Sequence, residues 1–416
     1  MRTRLNIERV AGQGDGVARG AGGAVFVSLT LPGEVVEADV EDGRGDLVGV
    51  IAASPDRATP PCPHFGDCGG CALQHWTDGA YLDWKREQVI HALGREGLEA
   101  EVARTAATPP HARRRVALHA RRRADGTVAL GFKARKSWRV VDLRTCVIAD
   151  PRIVAALPAL AHLAAALFEH PKSAPSLHVT ATEAGLDVDV TGVERRTGGG
   201  LSGDARARAI AAAQAADLAR LSLAGEVLVM RRPPVVTFGR ARVVLPPGGF
   251  LQASPQAEAI MVAEVAGAAR GARRIADLFC GAGTFTFPLA EIAPVLAADA
   301  GGDAVAALNA GRRTASGLKG IEAQTRDLFR RPLSPFDLKG VDVAVIDPPR
   351  AGAIEQIRQL VDARKIERVA YVSCNPATFA RDAAALVAGG YRLERVLPVD
   401  QFLWSAHVEL VATFRR

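Results

Sequence analysis

From residue 248 onward, short apolar runs recur with helical stretches between them: "RIADLF", "VLAAD", "VDVAVIDPP" and "RVAYVSC", preceded by "SPQAEAIMVAEVAGAA". Each run is almost continuously apolar and does not alternate. Such strands are covered on both faces, as in a parallel sheet lying between layers of helices. The rhythm therefore sets the fold class of this half as α/β. In open sheets of this kind the ligand crevice lies beyond the carboxyl ends of the strands. Polar residues at those ends are the first place to look for chemistry.

The rest of the chain reads differently. Residues 1–55 consist of short β-like runs with glycine turns and no helical period, which predicts a compact five-stranded barrel of the OB-like kind. "SPDRATPPCP" reads as a linker or loop. Residues 56–247 mix signals and predict a central α+β unit. "YLDWKREQVIHALGREG" is a helix, and "RVALHARRRADGTVALGF" is a hairpin turning at Asp125-Gly126. "PRIVAALPALAHLAAALFEH" is read as one helix after a proline start. A chain of 416 residues has room for these three units, 1–55, 56–247 and 248–416. The start "MRTRLNIERV" has no apolar leader core, and no apolar run is long enough to cross a bilayer. A cytoplasmic protein without a membrane partner is expected, and no protein partner is evident.

The formal net charge of +7 leans toward polyanionic partners. Arg113, Arg114, Arg115, Arg121, Arg122 and Arg123 crowd the hairpin, and Lys133, Arg135, Lys136 and Arg139 follow with Phe132 and Trp138 interleaved. A solvated basic strand pair and a phosphate-contacting surface both fit the arginine run. The aromatic residues among the cations suit single-stranded or loop RNA better.

Of the six cysteines, Cys62, Cys68 and Cys71 have the spacing C-x5-C-x2-C. Disulfides are not expected in a cytoplasmic chain of this size, so a metal site leads. Cys146 is the remaining cysteine outside the α/β half and supplies a fourth ligand. Four thiolates suit zinc or a [4Fe–4S] cluster; three clustered ligands with one distant favour the cluster. Four protein ligands would leave no open iron for radical chemistry.

"ADLFCGAGTFTFPLA" is a strand, a glycine turn and a helix start, which lets backbone N–H groups approach a ligand. A dinucleotide loop would place a third glycine at Thr286, so NAD is disfavoured. Asp299 ends the next strand, where its carboxylate can take ribose hydroxyls. Asp327 follows another short run and can meet an adenine amino group, and Asp347 ends the strand after it. Each aspartate alone reads as a loop cap; together they read as an S-adenosylmethionine site. Cys280 in this loop is read as packing. A further thiol, Cys374, stands at the tip of the last of these strands, in "SCNPATFARD".

"GGFLQASPQAE", "DLFCGAGTF", "DPPRAG", "SCNPATFARD" and "HVEL", with the spaced cysteines and the glycine-rich start, resemble the bacterial RNA uracil-C5 methyltransferases almost end to end. The resemblance is to the iron–sulfur 23S rRNA enzymes and their tRNA relative. It implies a Rossmann-like S-adenosylmethionine-dependent domain, an N-terminal TRAM domain and a central iron–sulfur domain. It further implies Cys62, Cys68, Cys71 and Cys146 as cluster ligands. Gln252, Phe279, Thr284, Asp299, Asp327 and Asp347 would surround S-adenosylmethionine, Cys374 would be the nucleophile and Glu409 the base. A thiolate adding to carbon 6 of uracil makes carbon 5 nucleophilic, and a carboxylate must then remove the carbon-5 proton. The target uridine would be flipped out of a loop or single-stranded region. The SCNP thiol and the prolines of DPPR fit uracil better than cytosine. Asp299 stands where the family more usually has glutamate, and "FLWSAHVEL" departs from the usual approach to the base. A cluster and barrel together favour 23S rRNA over tRNA. The tRNA enzyme is the second reading, and a non-catalytic RNA-binding or rRNA-assembly protein a third.

Overall fold

The computed structural model describes residues 1–20, 22–170, 172–193 and 201–416. Strands β1 (Arg2–Val10), β2 (Gly16–Gly20), β3 (Gly23–Val27), β4 (Val35–Glu41) and β5 (Arg44–Ala52) close into a barrel in the order β1-β2-β3-β5-β4. The barrel expected at the N-terminus is therefore present. Alternate residues point inward, so Leu5, Ile7, Val25, Val27, Val36 and Ala38 form its core. Gly16 is required there, since a Cβ would sit 2.0 Å from the Thr30 hydroxyl.

Helix α1 (Asp78–Arg95) and the short strand β6 (Glu101–Val102) come next. The basic hairpin forms as expected from β7 (Arg115–Arg122) and β8 (Val128–Gly131). The expected single helix after Asp150 is instead two, α2 (Pro151–Ala155) and α3 (Leu157–Ala165). Pro158 lacks the N–H that would bond the carbonyl of Val154, so the helix stops and restarts. Strands β9 (Ser176–Thr182) and β10 (Gly185–Thr191), helix α4 (Gly203–Ala215), and strands β11 (Arg220–Leu223) and β12 (Glu226–Met230) complete this region. Its sheet has the order β12-β11-β10-β9-β7-β8. A separate hairpin, β13 (Val235–Phe238) with β14 (Ala241–Val244), follows.

The last segment contains α5 (Pro255–Ala268), β15 (Ile275–Leu278), α6 (Thr286–Ala290), β16 (Val295–Asp299), α7 (Gly302–Thr314) and β17 (Ile321–Thr325). After these come β18 (Val343–Ile346), α8 (Ile354–Asp362), β19 (Arg368–Ser373), α9 (Pro376–Ala388), β20 (Arg392–Val399) and β21 (Glu409–Arg415). The sheet order is β17-β16-β15-β18-β19-β21-β20-β6. The strands expected to be parallel are so, but β21 runs antiparallel to both β19 and β20. Successive residues of β15, β18 and β19 feed opposite cores. Leu278, Ile346 and Tyr371 face α8 and α9, while Ile275, Val345 and Val372 face α5 and α6. This double coverage is what the unbroken apolar runs require.

Two parts of segment 56–247 pack into this last core. Hairpin β13–β14 lies against α7, and α1 lies against α9, with β6 pairing in parallel along β20. β6 covers an edge that would otherwise expose unpaired backbone groups.

Candidate active site

The chain leaves β15 for β16 on one side and returns to β18 on the other, so the sheet's switch point lies between β15 and β18. A cavity of about 620 Å³ opens beyond it. Gln252, Phe279, Thr284, Asp299, Asp347, Cys374 and Glu409 all line this cavity. Asp327 does not. Its carboxylate accepts from the backbone N–H groups of Phe329 (3.0 Å) and Arg330 (3.2 Å), the role of a turn cap. Phe329 in turn packs at a tilt against Phe279, with ring centroids 5.4 Å apart.

The backbone of the glycine loop is tightly specified. Phe279 has φ +63°, a left-handed conformation that a bulky residue keeps only where its surroundings impose it. Gly283 has φ +104°, and a Cβ there would meet the Phe287 ring at 2.6 Å. The Asp299 carboxylate accepts from Gly281 N–H (2.9 Å) and Gly301 N–H (2.6 Å), tying the two loops together. Cys280 is buried, as a packing residue would be.

Asp347 and Glu409 are held in a medium that resists their ionisation. Burial, with Asp277 and Asp299 nearby, pushes Asp347 up to about 7. Burial and the neighbouring Asp347 push Glu409 up to about 8, while the Gln401 amide and Lys85 pull it down. Burial, then Glu409 and Asp347, push the Cys374 thiol up to about 11, with Arg350 acting the other way.

A run of amides links the two carboxylates. Gln252 Nε2 donates to Asp347 Oδ2 (3.2 Å); Gln401 Nε2 donates both to Gln252 Oε1 (2.8 Å) and to Glu409 Oε2 (3.0 Å). Ala253 N–H donates to Gln401 Oε1 (3.0 Å). Gln401 was not legible in the sequence as a site residue; its only signal was its place eight residues before Glu409 in "DQFLWSAHVEL".

Cys374 follows β19 directly. Asn375 is extended (φ −140°, ψ 100°), as a residue before proline should be, and its side chain caps α9 through Ala377 N–H. The Arg350 carbonyl accepts from Asn375 Nδ2 and Thr378 Oγ1, both at 3.0 Å, so the DPPR and SCNP loops are fastened to each other. Cys374 and Arg350 also line a second cavity of about 410 Å³. Its other walls are the barrel, through Phe26 and Arg44, and α1, through Gln88 and Arg95.

The matching family model is that of the tRNA (Uracil-5-)-methyltransferases, over residues 246–416. An uncharacterized RNA methyltransferase of Caulobacter vibrioides is 56% identical over 414 residues, 99% of each chain. The 23S rRNA (uracil(1939)-C(5))-methyltransferase of Chromohalobacter salexigens is 35% identical over 431 residues, covering 99% of this chain and 89% of that one. This chain belongs to the RNA uracil-C5 methyltransferase family. The crystal structure of Pyrococcus abyssi tRNA (uracil-54, C5)-methyltransferase in complex with S-adenosyl-L-homocysteine shares the fold, with a TM-score of 0.76 at 22% identity over 99% of both chains.

In this methyltransferase the basic run divides. Arg121, Arg122 and Arg123 are exposed, whereas Arg113 and Arg115 turn in to line the larger cavity. Arg114 pairs with Glu258 and donates from Nε to the Gln252 carbonyl (3.0 Å), so it supports the site from behind. Beyond the hairpin, Lys133 stands 3.9 Å from the ring centroid of the exposed Trp138. Arg135 and Lys136 both pair with Asp15 of the barrel.

Cys62, Cys68, Cys71 and Cys146 line one small pocket, walled by Phe65, Phe132, Leu143 and Ile148. Burial raises Cys68, Cys71 and Cys146, and the cysteines' mutual repulsion adds to it; Cys71 reaches about 12. Among the described residues no three of His, Cys, Asp and Glu form a group that could hold a metal ion. No described helix is long and apolar enough to cross a membrane.

Proposed function

We propose that this cytoplasmic enzyme methylates carbon 5 of a uridine in 23S rRNA through a covalent adduct between Cys374 and carbon 6 of the base. One observation carries the reading: Cys374 and Arg350 are shared by two cavities, one with Asp299, Asp347 and Glu409 among aromatic rings and with Arg113 and Arg115 at its wall, the other between the barrel and α1 with Arg44 and Arg95 on its walls. The first suits a cationic nucleoside donor, and the second suits a phosphate chain. S-adenosylmethionine supplies an electrophilic methyl group on a positively charged sulfur. In this reading Asp299 takes its ribose hydroxyls and Asp347 faces the positive charge, while Asp327, outside the cavity lining, acts on the adenine end only through the turn that carries Phe329. Gln252, Phe279 and Thr284 shape the rest of the donor pocket.

The Cys374 thiol gives its proton to solvent and its sulfur bonds to carbon 6, with the ring electrons moving onto the uracil oxygen. The enolate electrons then bond carbon 5 to the methyl group as the donor's sulfur–methyl bond breaks, and S-adenosylhomocysteine leaves as the neutral thioether. Glu409 removes the carbon-5 proton, the carbon–sulfur bond breaks, and Cys374 leaves as thiolate. A donor cation against Asp347 offsets part of the negative field that holds Cys374 protonated, so adduct formation should require the donor.

The four cysteines are proposed to hold a [4Fe–4S] cluster. A cube of iron and sulfide spreads its four thiolates more widely than one tetrahedral ion does, and cationic iron offsets the burial and mutual repulsion that raise Cys68, Cys71 and Cys146. Protein isolated without oxygen is expected to be brown and to carry about four irons and four sulfides per chain. Cys146→Ser should lose the colour, and a colourless, zinc-loaded wild type would rule the cluster out.

The substrate is tested by methyl incorporation from labelled S-adenosylmethionine into 23S rRNA fragments and into tRNA, both made without modification. Incorporation at carbon 5 of one uridine in a 23S fragment is expected. Methylation of tRNA alone would overturn the rRNA reading and keep the chemistry. Intact, donor-binding protein that methylates neither would overturn the enzyme reading in favour of an RNA-binding role.

A further inference from the structure

Lys85 lies on α1, outside the matched residues 246–416, and its side chain is wholly buried. Lysine is almost never fully buried unless paired. Here it pairs with Asp400, also wholly buried, and donates to the carbonyls of Phe402 (3.2 Å) and His407 (2.6 Å). Three acceptors match the three N–H bonds of an ammonium group. One turn earlier on α1, the Tyr81 hydroxyl donates to the same Asp400 oxygen (2.9 Å), and the Thr108 hydroxyl donates to the Asp400 carbonyl.

A buried ion pair is a poor device for stability, since an apolar pair of similar volume often does as well or better. What it provides here is direction. Residues 400–408 form no helix or strand, yet this loop carries Gln401 and runs straight into Glu409 at the start of β21. Lys85 grips it near its start and again near its end. Gln401 then passes the constraint to Glu409 Oε2 and to Gln252. The ionisable groups that bear on Glu409 are Asp347, Lys85 and Cys374, and Lys85 is the cation among them.

We infer that Lys85 is the positioning residue of Glu409: by holding loop 400–408 at Asp400, Phe402 and His407 it sets where the carboxylate stands when the carbon-5 proton is removed. The inference rests on the proposed reaction. It also gives α1 a second role. Tyr81, Lys85, Gln88, Ala92 and Arg95 recur every three or four residues and share one face of the helix. The last three of them line the arginine-walled cavity. The helix that braces the base loop is thus also a wall of the cleft that nucleic acid would enter.

The test separates adduct formation from adduct release in single turnovers with unmodified RNA, over a range of pH, for wild type, Lys85→Met, Lys85→Arg and Tyr81→Phe. Lys85→Met is expected to form the adduct at close to the wild-type rate and to release product roughly 10- to 100-fold more slowly. The midpoint of its release profile should move to higher pH, because the cation that favours ionised Glu409 is gone. Lys85→Arg should recover part of the rate and the profile. Tyr81→Phe, which removes one hydrogen bond and no charge, should slow release a few-fold without moving the midpoint. Release at the wild-type rate with an unmoved profile in Lys85→Met would overturn the inference. So would equal losses in formation and release, which mark a merely structural role. If Lys85→Met does not fold, Lys85→Arg and Tyr81→Phe decide: slowed release with intact formation supports the role, and unchanged release in both overturns it. A wild type that forms no adduct on 5-fluorouridine RNA defeats the reaction itself, a distinct result.

Discussion

Replacing Cys374 by alanine is expected to lower methyl transfer by roughly 10,000-fold or more, while affinity for S-adenosylhomocysteine stays within a few-fold. The size of the loss follows from the absence of a substitute. Uracil carbon 5 reacts only after a nucleophile adds at carbon 6, and the one other thiol in this cavity, Cys280, is buried in the glycine loop. Cys374→Ser should fare little better, because a hydroxyl ionises far less readily than even a thiol held near 11. The protein itself should fold normally, since Cys374 is only half-buried and the neighbouring cap on α9 comes from Asn375. RNA carrying 5-fluorouridine makes the measurement direct. Fluorine cannot be removed as a proton, so wild type should stay bonded to the RNA on a denaturing gel, and only with donor present. A donor-dependent adduct formed by Cys374→Ala would remove Cys374 from its role.

Glu409→Gln is expected to act on the other half of the reaction. The adduct should form and then persist on unmodified RNA, with release slowed by roughly 100- to 10,000-fold. Glutamine keeps an oxygen for the Gln401 amide, so the local geometry should survive. In the proposed reaction only the ionised carboxylate can take the proton. With Glu409 held near 8, release should rise about tenfold per pH unit below that value and level off above it. The variant should lose this dependence. Stability should move oppositely. The Glu409 carboxyl ionises near 8 when folded and near 4.5 when unfolded. Its contribution is whole below about 4.5 and is lost as pH rises through 8. At pH 8 the donor-free Glu409→Gln protein should therefore be more stable than wild type, by on the order of 4 kcal/mol. Thermal melts at pH 5 and pH 8 check the sign.

The α/β core was legible because its determinants are local. The runs at 275–278, 295–299, 343–346 and 368–373 are buried strands, and polar residues at their carboxyl ends meet at one crevice whatever else the chain does. Cys374 was readable for the same reason. Some of the missed features depend on contacts that no local pattern carries. Lys85 and Asp400 are 315 residues apart, and a lysine in a helical period looks like a solvated face. Arg113, Arg114 and Arg115 looked like part of a basic surface, but the segment that leads into β7 turns them toward the cavity and Glu258. Asp327 sits at the expected strand end, yet its carboxylate is taken up by its own turn. The break between α2 and α3 was marked by Pro158 and could have been foreseen. The antiparallel end of the sheet could not, because β20 and β21 carry the same apolar residues whichever way they run.

The strand that closes the sheet's edge and the lysine that braces the base loop both come from residues far ahead of 246–416. Recombination that moved only those residues into another chain would deliver the donor crevice and the nucleophile, but with the outer edge of β20 uncovered and loop 400–408 slack. The catalytic half is thus not an exchangeable cassette. New specificities in this lineage are expected to arise by change within the barrel and the exposed hairpin, with α1 inherited alongside the sheet it completes.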